Sequence, residues 1–482
     1  MPSFEESKEI IIVGAGVAGL STALWIRKQH PDKRVTVYDQ RNFAQSRWNP
    51  AKGGDTASSD YNKIMRASYG SEIEYQRLAY EGREIWKDWN RQIKERRADQ
   101  LPKGLSPGDE VYIECGFLRL PGHEGRGLAQ REIEGLLNLQ KENLEWRSMA
   151  YLRHNAEDIK RAKKAGWGSQ LTEPFKNFKG PAVLDTTAGF TVAHRACNWA
   201  YHLAQEAGAN FVFGETAGKV VGFMRSGRTV CGIKSAGGKE HKADKVIVCG
   251  GPWIPELVPE CAAMIEATAG SVVAIQLPRH DKKLMDHYAP ENFPAFAFGL
   301  DSESTATETV YGFPRNEDGI VKIGYRGVKW TNFPKDKDVS TPITAFTTPS
   351  QTALPSSAVS TLKRFISRYT PELADLPRKT RLCWYNDSTD NSFIDYIPNT
   401  GEGLAVVGGG SGHMFKFLPV LGKHVIKILK KEPSEFTELW RYRVPIPGQR
   451  ANGLEDGRVG PRAFQHLKFI EADQWVFDEA KL

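Results

Sequence analysis

The stretch EIIIVGAGVAG, residues 9–19, decides the fold. The apolar run 9–13 predicts a short strand, the glycines a tight turn, residues 20–29 a helix and residues 34–39 a second strand. The turn comprises Gly14, Ala15, Gly16, Val17, Ala18 and Gly19; its glycines permit close backbone approach, and the helix N-terminus behind it attracts a pyrophosphate. Asp39 ends the second strand where an acid meets an adenosine ribose hydroxyl, with Gln40 beside it. Strand, turn, helix and terminal acid together predict an α/β, Rossmann-like dinucleotide site.

Farther out, 482 residues predict two domains. Lys plus Arg number 65 against 58 Asp plus Glu, a net charge of +7. The basic clusters at 94–97 and 160–164 are interleaved with acids and read as solvated helix faces, so no nucleic-acid partner is expected. No apolar run approaches the roughly 20 residues that span a bilayer, and the N-terminal stretch has no basic segment leading into an apolar one, so neither a membrane protein nor a secretory leader is expected. The six cysteines form no CxxC pair, which predicts no metal site, no disulfide framework and a reducing compartment.

Further helices are expected at 72–95, 156–165, 189–207 and 361–369. Strands are expected at 210–213, 219–224, 229–235 and 245–249 in a meander, and a mostly antiparallel sheet within 263–330. Residues 40–70 read as a polar connection, 381–398 as irregular or strand, and the last 50 residues as a wrapping tail. The late segment repeats the opening logic: strand 404–407, Gly408-Gly409-Gly410, the polar run 411–416, then a helix 419–430 with Pro419 in its first turn. A nicotinamide enzyme usually keeps this fold as one continuous module, whereas a second glycine turn late in the chain suits FAD. On this reading the late helix N-terminus faces the flavin's pyrimidine end, and Gly250-Gly251-Pro252-Trp253 makes a similar backbone approach. The alternative is glycines that only turn corners. The expected architecture is a discontinuous FAD-binding domain (1–70, 183–262, 365–435), a second α+β substrate domain on a mostly antiparallel sheet (71–182, 263–364) and a tail (436–482).

Some residues read two ways. Arg381 and Cys383 share one strand face, so the guanidinium can lower the thiol pKa and favour attack on a flavin ring methyl carbon; the alternative is an inert buried cysteine. Lys322, between β-branched neighbours, either brings positive charge to a reacting centre or points to water. Arg66 and Lys416 either bind a carboxylate or are surface charges. The final Ala480-Lys481-Leu482 is one small residue away from the Ser-Lys-Leu peroxisomal address, with the cytoplasm as second choice.

Several stretches in order, IIVGAGVAGLSTALWI, DYNKIMRASYG, KVIVCGGPW, YGFP with GIVKIGY, RLCWYNDSTDNSFIDYIP and GGGSGHMFKFLPVLGKHV, resemble the flavin-dependent amine oxidases of the monomeric sarcosine oxidase group, above all the fructosyl amino acid oxidases (amadoriases) and saccharopine oxidases. The resemblance implies FAD bonded covalently through Cys383, Lys322 promoting reaction with oxygen, and Lys63 against the flavin. It also implies that Val220 meets the adenine and that Gly251, Trp253, Gly410, Gly412, His413, Met414 and Lys416 line the cofactor. Lys416 and Arg66 would hold the substrate carboxylate, with Tyr325 and Arg326 also facing the substrate. The implied activity is oxidation of the C–N bond of an N-substituted L-amino acid to an imine, with O2 reduced to H2O2 by a monomeric enzyme. A dehydrogenase passing electrons to a carrier and a non-catalytic flavin-binding protein are the alternatives. Three departures mark this chain. His413 stands where fructosyl amino acid oxidases commonly carry arginine, the spacing from Phe393 to Pro398 is one residue short, and Arg326 replaces a histidine or acid and could take a second carboxylate, as on saccharopine.

Overall fold

The computed structural model describes residues 1–42, 47–49, 54–142, 148–300, 309–388, 392–443 and 457–477. The Ala480-Lys481-Leu482 stretch lies outside the described residues.

Strand Glu9–Val13 pairs in parallel with Arg34–Asp39 on one side and Lys245–Val248 on the other. Runs such as IIIV and KVIV are buried along their length, as parallel strands covered on both faces must be. Leu404–Gly408 and Asn210–Phe213 extend this sheet in parallel and Phe393–Tyr396 closes one edge antiparallel, giving six strands. Helices Val17–Gln29 and Leu421–Leu429 pack closely: the Gly422 N–H donates to Ser21 Oγ at 2.8 Å, and a Cβ on Gly422 would sit 2.1 Å from the Ser21 carbonyl oxygen. Only glycine allows that approach.

A second sheet has eight strands, in the order 378–388, 265–276, 320–330, 310–312, 295–298, 117–120, 183–185, 150–152. All its pairings are antiparallel except that of Ala295–Phe298 with Phe117–Leu120. Its register sets the site. In the shared neighbour Ile265–Gln276, Gly270 lies opposite Cys383 and Ala274 opposite Lys322. Because Gly270 and Ala274 are an even number of residues apart, Cys383 and Lys322 come to one face of the sheet.

Several expectations are corrected. Residues Gly189–Val192 form a strand between Asn62–Met65 and Tyr112–Ile113, and the helix starts only at Ala193. The sequence Gly-Phe-Thr-Val is poor helix material but suits a strand. Asn62–Met65 itself lies inside the segment read as a connection. The expected meander is confined to Val220–Ser226, Thr229–Ser235 and Glu240–Lys242, because Asn210–Phe213 follows a helix and returns to the parallel sheet. The late helix begins at Leu421, preceded by a 3-10 turn at Met414–Phe417. Helix Gln130–Glu142 was not anticipated. Strands Val183–Asp185 and Arg378–Ser388, though in segments assigned by sequence to the FAD unit, join the eight-stranded sheet. In the tail, Phe469–Ile470 pairs with Leu354–Pro355 and Trp475 is buried.

Candidate active site

A cavity of about 1430 Å³ runs from the carboxyl ends of the parallel strands to the face of the second sheet. Small-molecule pockets are typically roughly 300–1,000 Å³, so the cavity has room for a dinucleotide and a substrate together. At one end it is lined by Gly14, Ala15, Gly16, Val17 and Ala18, by Asp39 and Gln40, and by Val220, Gly251 and Trp253. Gly19 lies just behind, in the first turn of the helix, where a Cβ would fall 1.8 Å from the Gly14 carbonyl oxygen. Gly14 has φ +106° and its Cβ would lie 2.5 Å from the Cys249 carbonyl oxygen. The cradle is therefore backbone alone, as a pyrophosphate requires. Asp39 accepts the Ala15 N–H at 2.7 Å and the Arg41 N–H at 2.8 Å, leaving lone pairs for a ribose hydroxyl. Ser58 Oγ, overlooked in the sequence, accepts the Val17 N–H at 2.9 Å and steadies the helix start.

In mid-cavity, Cys383 and Lys63 line the wall and Lys322 lies behind it. Lys63 Nζ is 3.7 Å from Cys383 Sγ and pairs with Asp60 Oδ2. Lys322 Nζ donates to the same Asp60 oxygen at 2.7 Å and to the Asn62 carbonyl at 2.9 Å, above the Phe313 ring. Asp60 was not singled out in the sequence; its only signal was an acid three positions before Lys63. Burial opposes the Asp60 charge, but Lys322 and Lys63 outweigh it and hold the carboxyl at about 2. Burial brings Lys322 down to about 8 against the pull of Asp60. Burial likewise raises the Cys383 thiol, opposed by Lys63. Arg381, expected to act on the thiol, instead bonds Asp55 Oδ1 through Nε at 2.8 Å. The cations facing the sulfur come from other strands.

At the far end, Lys416 is 5% exposed and donates to Tyr69 Oη at 2.6 Å. It forms no ion pair among the described residues. Burial, with Arg66 and Arg326 nearby, drives its pKa well below the ordinary lysine value, so an arriving carboxylate would favour its charged form. Tyr69 Oη also meets His413 Nδ1 at 3.2 Å, and burial with the surrounding cations keeps His413 neutral at physiological pH. Arg66 lines the cavity but is paired to Glu132 Oε2 at 3.2 Å. Glu132 comes from the unanticipated helix, and buried Arg119 binds it as well, at 3.1 Å. Arg326 lines the cavity too, donating to the Ser411 and Gly412 carbonyls with its guanidinium over the Tyr385 ring, and it makes no ion pair among the described residues.

Gly410 and Gly412 also reach the cavity, as do His413 and Met414. Asn386 ties two glycine turns together: its Oδ1 accepts the Gly410 N–H at 3.3 Å and its Nδ2 donates to the Gly251 carbonyl at 3.3 Å. The late helix N-terminus does not line the cavity; the 3-10 turn carrying Met414, Phe415 and Lys416 does. Tyr325 is also absent from the lining. It is buried in the core behind the sheet, 6.3 Å from the Trp330 ring. Lys322 and Tyr325 are an odd number of positions apart, so one strand cannot present both to the same side, whereas Arg326 does share the Lys322 face. Among the described residues no group of three or more His, Cys, Asp or Glu side chains is placed to hold a metal, and no helix is long and apolar enough to cross a membrane.

Residues 9–428 match the sequence model of the family described as FAD dependent oxidoreductase, DAO. The chain belongs to this family. As an FAD-dependent oxidoreductase of the amine and amino acid oxidase type, it is similar to L-saccharopine oxidase of Schizosaccharomyces pombe, with 26% identity over 91% of this chain and 93% of the relative. Human peroxisomal sarcosine oxidase is 22% identical over 88% of this chain and 93% of its own length. The solved fructosyl peptide oxidase from E. terrenum superposes with a TM-score of 0.72 at 23% identity, covering 99% of both chains. FAD is the family's cofactor, and the backbone cradle, the free lone pairs of Asp39 and the size of the cavity fit it.

Proposed function

We propose that this oxidoreductase is an oxidase of N-substituted L-amino acids, removing hydride from a carbon next to nitrogen and a proton so that the C–N bond becomes an imine, and passing the two electrons to O2 to give H2O2. The observation that carries the reading is Lys416, a buried lysine that forms no ion pair among the described residues, at the end of the cavity away from the glycine cradle. Charging such a lysine is costly until an anion arrives. Lys416 and Tyr69 hold the substrate carboxylate, and Arg66 adds to the field while Glu132 fixes its position. Neutral His413 accepts close approach of the substrate nitrogen without repelling it.

FAD, when bound, supplies the two-electron chemistry that links amine oxidation to oxygen reduction. The residues around its cavity bind, orient and exclude water. The substrate enters as the free amine, so no side-chain base has to remove an N–H proton. Lys322, charged below about pH 8, favours negative charge developing on oxygen. Cys383, beside Lys63, carries the covalent attachment. Arg326, a second cavity cation without an ion pair among the described residues, selects substrates with a second carboxylate. Peroxisomal residence is part of the proposal and is supported by the name of the human relative.

The test is oxygen uptake by the purified yellow protein with secondary amino acids, their methyl esters and dicarboxylic counterparts. Acids that turn over, esters that do not, and a preference for dicarboxylates that Arg326→Leu abolishes are the expected results. Equal rates with acid and ester would overturn the assignment of Lys416. Flavin that stays with the precipitate in acid, and leaves it in Cys383→Ser, is expected for the covalent link.

A further inference from the structure

We propose that Asp60 is the positioning residue of the Cys383 corner: one carboxylate oxygen holds Lys63 and Lys322 together beside the sulfur and leaves the cluster one positive charge in excess. Three separate pieces of chain meet there. Asp60 precedes strand Asn62–Met65, which carries Lys63, while Lys322 and Cys383 stand on strands Ile320–Trp330 and Arg378–Ser388. Asp60 Oδ1 is anchored by the Tyr61 N–H at 2.7 Å, and Oδ2 receives both lysines. Both Asp60 and Lys322 side chains are about 95% buried, and Cys383 Sγ lies 3.9 Å from the shared oxygen. No other carboxylate pairs with either lysine among the described residues. The titratable groups facing the cluster from the packed elements are Asp60, Lys63, Lys322, Cys383 and Tyr311.

Two ammonium groups on one carboxylate sum to one surplus positive charge, presented to the cavity through Lys63. Like charges this close and this dry repel strongly unless an anion stands between them. Asp60 is that anion. The surplus charge is what an oxidase needs beside a cofactor that gains negative charge on reduction. Asp60 itself need touch neither substrate nor cofactor; it acts through the lysines.

The test uses melting temperatures of the FAD-loaded protein for wild type, Asp60→Asn, Lys63→Gln and the double variant. Asp60→Asn keeps the shape and removes the charge, so two buried ammonium groups are left without a partner. At pH 7 it is expected to melt about 5 °C or more below wild type. Its lysines then hold fewer protons folded than unfolded, so stability rises with pH and the deficit shrinks by about pH 9.5. Adding Lys63→Gln removes one of the two repelling charges, so Asp60→Asn is expected to cost less than half as much in that background. A deficit unchanged by pH and by Lys63→Gln would overturn the proposal, since a purely structural aspartate behaves that way. If Asp60→Asn yields no folded protein, the double variant decides: a folded, yellow double variant supports the proposal and a second failure overturns it.

Discussion

Lys416 and Lys322 are both buried lysines with depressed pKa values, yet their surroundings divide the labour between them. Lys322 has Asp60 and the Asn62 carbonyl, so it keeps its proton up to about pH 8. Lys416 donates to a tyrosine hydroxyl and forms no ion pair among the described residues, and burial with Arg66 and Arg326 outweighs the pull of Glu72, so its charge waits for an anion. A charge-assisted hydrogen bond contributes about 1.5–3 kcal/mol. Lys416→Met is therefore expected to raise KM for the amino acid about tenfold or more with FAD content unchanged, as steady-state kinetics and the visible spectrum would report. For Lys322 the sign follows from a lowered value: the group is charged below about 8 and neutral above it. The rate of flavin reoxidation by O2 should fall as pH rises through that region, and Lys322→Met should be slow at every pH; stopped-flow absorbance checks both.

Among the elements, what was legible in the sequence was local and what was missed was pairing. Strands Glu9–Val13 and Arg34–Asp39 are found at the bounds their apolar runs predicted, because their apolar residues are buried and each run is ended by glycine or acid. Gly14→Ala should abolish FAD retention on gel filtration, since its φ of +106° and the Cys249 carbonyl oxygen at 2.5 Å leave no room for a methyl group. Tyr325 could have been set aside from parity alone, as Lys322 and Arg326 occupy the other face. Arg381 could not, because its partner Asp55 is 326 positions away in the chain. Helix Gln130–Glu142 went unread although it supplies Glu132, which holds Arg66 and Arg119. Glu132→Ala takes the carboxylate from half-buried Arg66 and leaves buried Arg119 with Asp185 alone; breaking a fully buried pair costs about 3–5 kcal/mol, so a smaller loss, seen as a lower denaturation midpoint, is expected together with a raised KM.

Across the whole molecule, two sheets with different rules meet at one cavity. The parallel sheet supplies glycine turns at its carboxyl ends, and the larger sheet supplies a face on which register sets Cys383, Lys322 and Arg326 side by side. Motifs revealed the first sheet because its chemistry is backbone chemistry confined to a few adjacent residues. The second was legible only as separate suspects, since Asp60, Lys63, Lys322 and Cys383 become one cluster only after strands far apart in the chain have paired. On the function proposed above, this pairing builds an oxidase for N-substituted amino acids. The most direct test of that function is the yield of hydrogen peroxide per molecule of secondary amino acid consumed, measured anaerobically and in air with the purified flavoprotein. One peroxide per amine is expected in air, and in the absence of O2 a bleached flavin that regains its colour when air is admitted. A flavin that bleaches with the amine but forms no peroxide, or that no secondary amino acid bleaches, would contradict it.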